Sequence, residues 1–208
     1  MPLEDLAEQQ TRFLKQFGAA RDMTAARALA MRDAVGSAVS KNALYAPKAT
    51  SRDRLEVDAA WKEALESYAS KYAEPVDWER YERDLVKLTA EMNRAFGDHF
   101  RQARHPKFGY EPGFRVSHAQ MSLSLVLKHY WCLGLAAMPP ECPVTRAALL
   151  AARAGELNAK WTDVNSIEAH RLKIKFLSDA AAEAGLALAE WELKATNHIP
   201  LTGCALRA

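Results

Sequence analysis

Apolar residues along most of this chain recur at the three- and four-residue spacing of a helix. The clearest stretch begins at Asp77, a good N-cap, and ends at Gly97, and its apolar positions form one stripe: Tyr81, Leu85, Leu88, Met92 and Phe96. No segment alternates strictly between apolar and polar residues, as a half-buried strand would. The pattern predicts an all-α fold with more than roughly 55% helix, well above the usual third.

Start and stop signals divide the chain into seven to eight helices. Capping residues mark several starts, among them Ser51 and Thr145, and glycine or proline marks most ends. The predicted helices cover about these ranges: 3–17, 22–41, 51–74, 77–97, 117–134, 145–155, 165–185 and 187–194.

The fifth predicted helix is apolar almost all round, which is typical of a helix buried at the centre of a fold. We expect Ser117 to cap it and Gln120 to reach back, as in a capping box. The expected architecture is a single globular domain, 1–208, around the buried helix at about 118–134. Helices fill 1–97, a basic loop follows at 98–116, and the candidate catalytic segment is 117–195.

Composition narrows the setting of the protein. Apolar residues make up 49% of the chain and charged residues 26%, a balance typical of globular proteins. The first residues do not resemble a signal peptide, and Lys128 with His129 interrupts the longest apolar run. Three cysteines without a CxxC pair favour free thiols, so we expect a soluble, cytoplasmic protein without a metal site: Cys132, Cys142 and Cys204.

The whole excess of positive charge lies in the middle of the chain. Residues 98–146 hold six basic side chains against three acidic ones, whereas the net charge of the chain is +2. The loop interleaves cations with aromatic rings: Arg101, Arg104, Lys107 and Arg115 with Phe100, Phe108, Tyr110 and Phe114. Cations neutralise phosphates and exposed rings stack on bases, so this mixture predicts nucleic-acid binding. The alternative is a solvated loop whose rings anchor it to the core.

Lys128 lies in the middle of the apolar fifth helix. It either extends to the surface or lies in a pocket, where desolvation lowers the pKa of a lysine and makes it a nucleophile or base. The first interpretation is favoured. His118 and His129 flank it on the same helix as further titratable groups, and a structural role is favoured for both.

The segment Arg94-Ala-Phe-Gly-Asp-His99 resembles the R-x4-H pattern of the HEPN ribonucleases. That resemblance implies that Arg94 and His99 act on a scissile phosphate of RNA. The family prefers a polar residue directly after the arginine, and Ala95 departs from this preference.

The segment 117–150 contains a helix that begins His-Ala-Gln-Met-Ser-Leu and is followed by Pro143-Val144-Thr145-Arg146. It resembles the catalytic segment of helix-hairpin-helix DNA glycosylases, in which a helix carries a lysine and the next helix is capped by an aspartate. The resemblance places the lysine at Met121 or Lys128 and Thr145 at the aspartate. Asp163, just before the next helix, is the candidate replacement for that carboxylate. The glycine-rich hairpin of the family is absent.

Three functions follow as hypotheses. The first is a DNA glycosylase that excises a flipped base, in which Lys128, Asp163, Thr145 and His118 are the catalytic candidates. Trp131, Trp161 or Tyr130 would stack on the base, and modified phage DNA is a plausible target in phage defence. The second is the HEPN-type ribonuclease. The third is a helical nucleic-acid-binding protein without activity. DNA is favoured over RNA, and no cofactor is expected.

Overall fold

The structure of the protein is a computed structural model that describes residues 6–16, 18, 22–40, 42–107 and 109–197. Helices account for 67% of it. Across these ranges, the sole β-type pairing is an isolated antiparallel bridge between Tyr45 and Phe100. The prediction of an all-α fold is therefore confirmed.

Eight α-helices make up the fold, and their bounds within the described ranges are these: α1 Leu6–Gln16, α2 Met23–Val39, α3 Ser51–Ala69, α4 Trp78–Phe96, α5 Val116–Cys132, α6 Arg146–Ala151, α7 Ile167–Glu183 and α8 Leu188–Thr196. The same ranges contain three short 3₁₀ turns, at Ser70–Tyr72, Gly97–His99 and Trp161–Asp163. The longest helices, α3 and α4, carry many charged residues. Among the helices of the described chain, none has the length and apolar character needed to cross a membrane.

The predicted caps are confirmed at Asp77 and Thr145, whose side chains accept a hydrogen bond from the first helical turn. The caps predicted at Ser51 and Ser117 are wrong. Thr50, not Ser51, caps α3 and forms a capping box with Asp53. The predicted box of Ser117 and Gln120 does not form, because tertiary partners recruit both side chains.

Helix α5 begins two residues earlier than predicted, with Arg115 rather than Ser117 as its N-cap. Ser117 lies inside the helix, where its hydroxyl accepts a hydrogen bond from the Asn42 amide at 3.2 Å. Gln120 accepts instead from the backbone N–H of Val144 at 3.1 Å. Both bonds join the amino end of α5 to distant parts of the chain.

Helix α5 is the centre of the fold, since every residue from Val116 to Trp131 is buried. Helices α1, α2, α3 and α4 pack against it around one large apolar cluster. The α2–α5 contact is the most extensive of all helix pairs in the described part of the chain. On α2, alanines with 0% exposure recur at four-residue spacing and let the two helices approach closely: Ala30, Ala34 and Ala38.

A second apolar cluster joins α6, α7 and α8. Trp161, at the start of the third 3₁₀ turn, is partly buried and packs against both clusters. The turn that carries Asp163 is therefore held between the central helix and the carboxyl-terminal helices.

Replacement of Ala34 by Leu tests the close packing of α2 on α5. Ala34 is 0% exposed, so the added methylene groups have no free volume. We expect the free energy of unfolding to fall by about 1–3 kcal/mol, the usual cost of overpacking, as measured by urea denaturation. Ala28→Leu on the exposed side of α2 is the matched control. Equal stability of the two variants would contradict this packing.

Candidate nucleic-acid interface

The basic loop between α4 and α5 is anchored to α4 by one side chain. The Asn93 amide donates to the carbonyl of Phe114 at 2.7 Å and accepts from its N–H at 2.9 Å. Gly113 beside it has a φ of +75°, and a Cβ atom there would lie 2.7 Å from Asn93 Oδ1. Only glycine fits this close approach, so the end of the loop has a defined position.

Most aromatic rings of the loop face the core. Phe100 and Phe114 are 0% and 2% exposed and pack against each other at a centroid distance of 5.9 Å. Tyr110 is also buried, and Phe108 lies outside the described residues. Phe100 and Phe114 therefore anchor the loop to the core, as the alternative interpretation of the sequence expects.

Arg115 is the unusual cation of the loop because it is 3% exposed. Its Nη2 donates to the side-chain oxygen of Asn42 and to the carbonyl of Ala43. Its Nε and Nη1 are buried without a hydrogen-bond partner. No ion pair joins Arg115 to a carboxylate among the described residues. Burial lowers the pKa of Arg115 to about 10, so it stays charged at neutral pH.

The Tyr110 ring brings cations of two distant segments together. Arg115 Cζ lies 4.9 Å from the ring centroid and Lys160 Nζ lies 5.7 Å from it. Nearby, Arg104 donates to the carbonyl of Gly109 and pairs with Glu111 at 3.3 Å.

Lys160 also pairs with Asp163 at 2.8 Å. The carboxylate of Asp163 acts electrostatically on Lys173, whose pKa is lowered mainly by burial. We call this surface the Tyr110 face; its members are Arg104, Lys107, Tyr110, Glu111, Arg115, Lys160 and Asp163. Four cations and two carboxylates make it net positive.

The remaining residues predicted to contact nucleic acid differ in their exposure to solvent. Lys107 is exposed at the tip of the loop. Arg101 is half-buried, and its backbone N–H donates to the carbonyl of Leu44. Trp131 is buried in the core, as is Tyr130, whereas Trp161 is partly exposed. Of the rings proposed to stack on a base, Trp161 alone lies close to the Tyr110 face in sequence, next to Lys160.

His118 is fully buried at the amino end of α5. Its Nδ1 accepts from the backbone N–H of Arg115 at 3.0 Å, and its Nε2 lies 3.1 Å from the carbonyl of Asn42, to which it donates. Burial, together with the charge of Arg115, lowers the pKa of His118 to about 3. His118 is therefore neutral at physiological pH and links the loop to the segment after α2.

Lys128 does not reach the surface, so the favoured expectation for this residue is wrong. The residue is 5% exposed, and its ammonium pairs with Glu192 of α8 at 2.6 Å. The ammonium also lies 4.6 Å from the ring centroid of Phe13 on α1. The ion pair joins α5 to α8, and the cation–π contact joins it to α1.

The catalytic candidates lie at two different ends of α5. Asp163 lies at the amino end, because the adjacent Val164 accepts from Ser117 N–H at 2.8 Å. Thr145 is nearby, next to the Val144 that Gln120 binds. Lys128 is 11 residues beyond Ser117, about 16 Å along a helix that rises 1.5 Å per residue. The structure brings Thr145, Asp163 and His118 to the same end and leaves Lys128 apart.

The HEPN-type candidates lie where α4 ends. Arg94 is exposed in the last turn of α4, and His99 follows in the 3₁₀ turn. The Nδ1 of His99 lies 3.9 Å from a carboxylate oxygen of Asp53, the residue that completes the α3 capping box. His99 is thus next to a carboxylate that already has a structural role.

Sequence reasoning missed three buried contacts between a basic and an acidic side chain in the described part of the chain. Glu192 meets Lys128, Asp33 meets His129 at 3.0 Å, and Glu141 meets His170 at 2.7 Å. Trp78 also donates to Glu141. In sequence, Lys128 and Glu192 are 64 residues apart, His129 and Asp33 are 96 apart, and His170 and Glu141 are 29 apart. A charged residue within an apolar stripe was the one available signal, and it identified Lys128 but none of the partners.

A cavity of about 540 Å³ lies between α1, the start of α2 and the carboxyl end of α5. Leu14, Met23 and Leu133 give it an apolar wall, and His129 adds a polar group. Of the described residues that line it, none is a predicted site residue. No group of three or more His, Cys, Asp or Glu side chains in the described ranges is placed to hold a metal ion.

No family model, no curated protein and no solved structure matches this chain. The resemblances to helix-hairpin-helix glycosylases and to HEPN ribonucleases therefore stay predictions.

The lowered pKa of His118 predicts a loss of stability in acid. The unfolded chain takes up a proton near pH 6.5, whereas the folded protein resists protonation down to about pH 3. The free energy of unfolding should therefore fall by about 1.4 kcal/mol for each pH unit below about 6. We expect His118→Gln to remove this slope from urea denaturation curves, while His105→Gln retains it. An unchanged slope in His118→Gln would contradict the assignment.

The Lys128–Glu192 pair predicts a second stability effect. Lys128→Met leaves the Glu192 carboxylate buried without its cation, which should cost about 3–5 kcal/mol. Addition of Glu192→Leu should recover most of the loss, since apolar groups often replace a buried pair at little cost. In the exposed pair with Asp179, Lys175→Met should change stability by less than about 1 kcal/mol. A neutral Lys128→Met would argue against the pair.

Proposed function

We propose that this protein binds nucleic acid through the Tyr110 face, with DNA as the preferred ligand. The observation that carries the proposal is the approach of Arg115 and Lys160 to the same tyrosine ring. Cations that are 45 residues apart in sequence converge on one surface with an excess of positive charge. Phosphate contacts by clustered lysine and arginine supply most of the affinity of non-specific nucleic-acid binding.

The exposed members of this face are suited to backbone contact. Arg104, Lys107 and Lys160 are solvent-exposed. Arg104 pairs with Glu111 of the same loop, and Lys160 pairs with Asp163 of the adjoining turn. Trp161 adds a partly exposed ring beside Lys160, which supports stacking on an unpaired base. The buried rings of the loop give the face a rigid base rather than further stacking platforms.

Of the three hypotheses, binding without base excision has the best support. A glycosylase of the expected kind needs its lysine and its carboxylate at one nucleotide. Asp163 lies beside Ser117 at the amino end of α5, whereas Lys128 lies about 16 Å further along the helix axis. Lys128 is also already paired with Glu192. Excision of a base, including a modified phage base, stays a prediction of the resemblance and is tested by abasic-site formation on duplex DNA.

We also infer that the protein works in a reducing compartment such as the cytoplasm. Cys132 and Cys142 are free thiols in the described chain, and Cys204 lies outside it. Burial raises the pKa of the Cys142 thiol well above its usual value. A buried protonated thiol is unreactive, which agrees with a structural role.

Removal of the exposed cations tests the proposed interface. The triple variant Arg104→Ala, Lys107→Ala and Lys160→Ala should weaken binding to duplex DNA. It should also lower the slope of log affinity against log salt by up to about 2.7, at about 0.9 for each lost phosphate contact. Fluorescence anisotropy titrations over a range of salt concentrations measure both quantities.

The matched control removes three exposed cations elsewhere: Arg32 on α2 and Arg83 and Lys87 on α4, each changed to Ala. This variant has the same net charge as the first but retains the Tyr110 face. Equal losses of affinity and slope in the two triple variants would show that only total charge matters, and the proposed interface would be wrong.

A further inference from the structure

The guanidinium of Arg115 has donors that no group of the protein uses. Its Nε and Nη1 are buried without a partner, although Nη2 is bonded to Asn42 and Ala43. The nearby carboxylates are engaged elsewhere, Glu111 with Arg104 and Asp163 with Lys160. Asp163 and Glu111 act on Arg115 electrostatically, but neither forms an ion pair with it. A buried charge without such a pair is costly, and an anion at these donors would lower that cost.

The position of Arg115 at the N-cap of α5 increases the need for an anion. The amino end of a helix carries a partial positive charge, so a buried cation there is doubly unfavourable. Lys160, 5.7 Å from the centroid of the Tyr110 ring, adds a third source of positive potential. The neutral His118 below it adds no compensating negative charge.

We propose that Arg115 is the specific contact for a terminal phosphate of a nucleic-acid strand. This inference rests on the proposed function and assigns a chemical group to it. Arg115 lies 3% exposed beneath Tyr110, and a phosphodiester within a strand has a nucleoside on both sides that prevents such deep entry. A terminal phosphate monoester is free on one side and carries about −1.5 to −2 charges at pH 7.

Access to the site requires the Tyr110 ring to turn aside. The ring lies 4.9 Å from Arg115 Cζ and covers the guanidinium. The phosphate replaces the cation–π contact with charge-assisted hydrogen bonds, which are the stronger interaction. The ring therefore competes with the phosphate, and its removal strengthens binding.

The test compares three oligonucleotides of one sequence: 5′-phosphorylated, 3′-phosphorylated and unphosphorylated. We expect the wild-type protein to bind one of the phosphorylated strands about tenfold more tightly than the unphosphorylated strand, the size of one charge-assisted hydrogen bond. Arg115→Met and Arg115→Lys should both bring this ratio to about one, and because the ratio compares two strands on the same variant, a general loss of strand affinity does not change the result. The lysine variant keeps the charge and serves if the methionine variant fails to fold.

A second set of variants tests whether the Tyr110 ring competes with the phosphate for Arg115. Tyr110→Ala should raise the affinity for the phosphorylated strand by about fivefold, the size of one cation–π contact. Tyr45 and Arg54 form a similar ring–cation pair at 5.3 Å outside the Tyr110 face. Tyr45→Ala and Arg54→Lys are the matched controls and should leave the phosphorylation ratio at its wild-type value.

Measurements with inorganic phosphate distinguish a failure of the proposed anion site from a failure of the proposed function. If every strand binds equally to the wild-type protein, the terminal-phosphate inference is overturned while nucleic-acid binding stands. If no strand binds but inorganic phosphate raises the Tm of the wild-type protein and not of Arg115→Lys, the anion site stands and the proposed function fails. If neither strands nor phosphate bind, both are overturned.

Discussion

Burial of α5 on every side is the constraint on which the rest of the structure depends. Water reaches almost none of the helix from Val116 to Trp131. A polar group in such a place must find a partner inside the protein or leave a hydrogen bond unmade. The helix nevertheless carries polar side chains along its whole length: Ser117, His118, Gln120, Ser122, Ser124, Lys128 and His129.

The partners of these side chains determine how the outer elements are arranged. Asn42, after α2, bonds to Ser117 and accepts from His118. Trp61 of α3 donates to Ser122 at 3.1 Å, and Glu192 of α8 meets Lys128. Apolar contact supplies most of the stabilisation because it covers the largest area. The polar bonds fix which part of each neighbour meets which part of α5.

Arg115 is one of four described residues at which this rule is not satisfied, and it is the one with two unpartnered donors. Its burial at the head of α5 without a carboxylate leaves donors unused, in a fold that pairs Lys128 and His129 with acids. Unpaired buried donors occur where a ligand completes them as well as where a fold is strained. The convergence of Lys160 on the same tyrosine ring favours the first explanation, and it places the proposed interface at the amino end of the central helix.

The all-α fold and the burial of α5 follow from the sequence alone. Helical spacing and capping are local properties. The apolar character of α5 on all its faces can be read from 17 consecutive residues. The cap at Arg115, the partner of Lys128 and the separation of Lys128 from Asp163 depended on the tertiary structure. These features join residues far apart in sequence, such as Asn42 and Ser117, and a single sequence carries no distance between such positions. Local periodicity therefore determined which segments are helices, and tertiary contact decided which side chains meet.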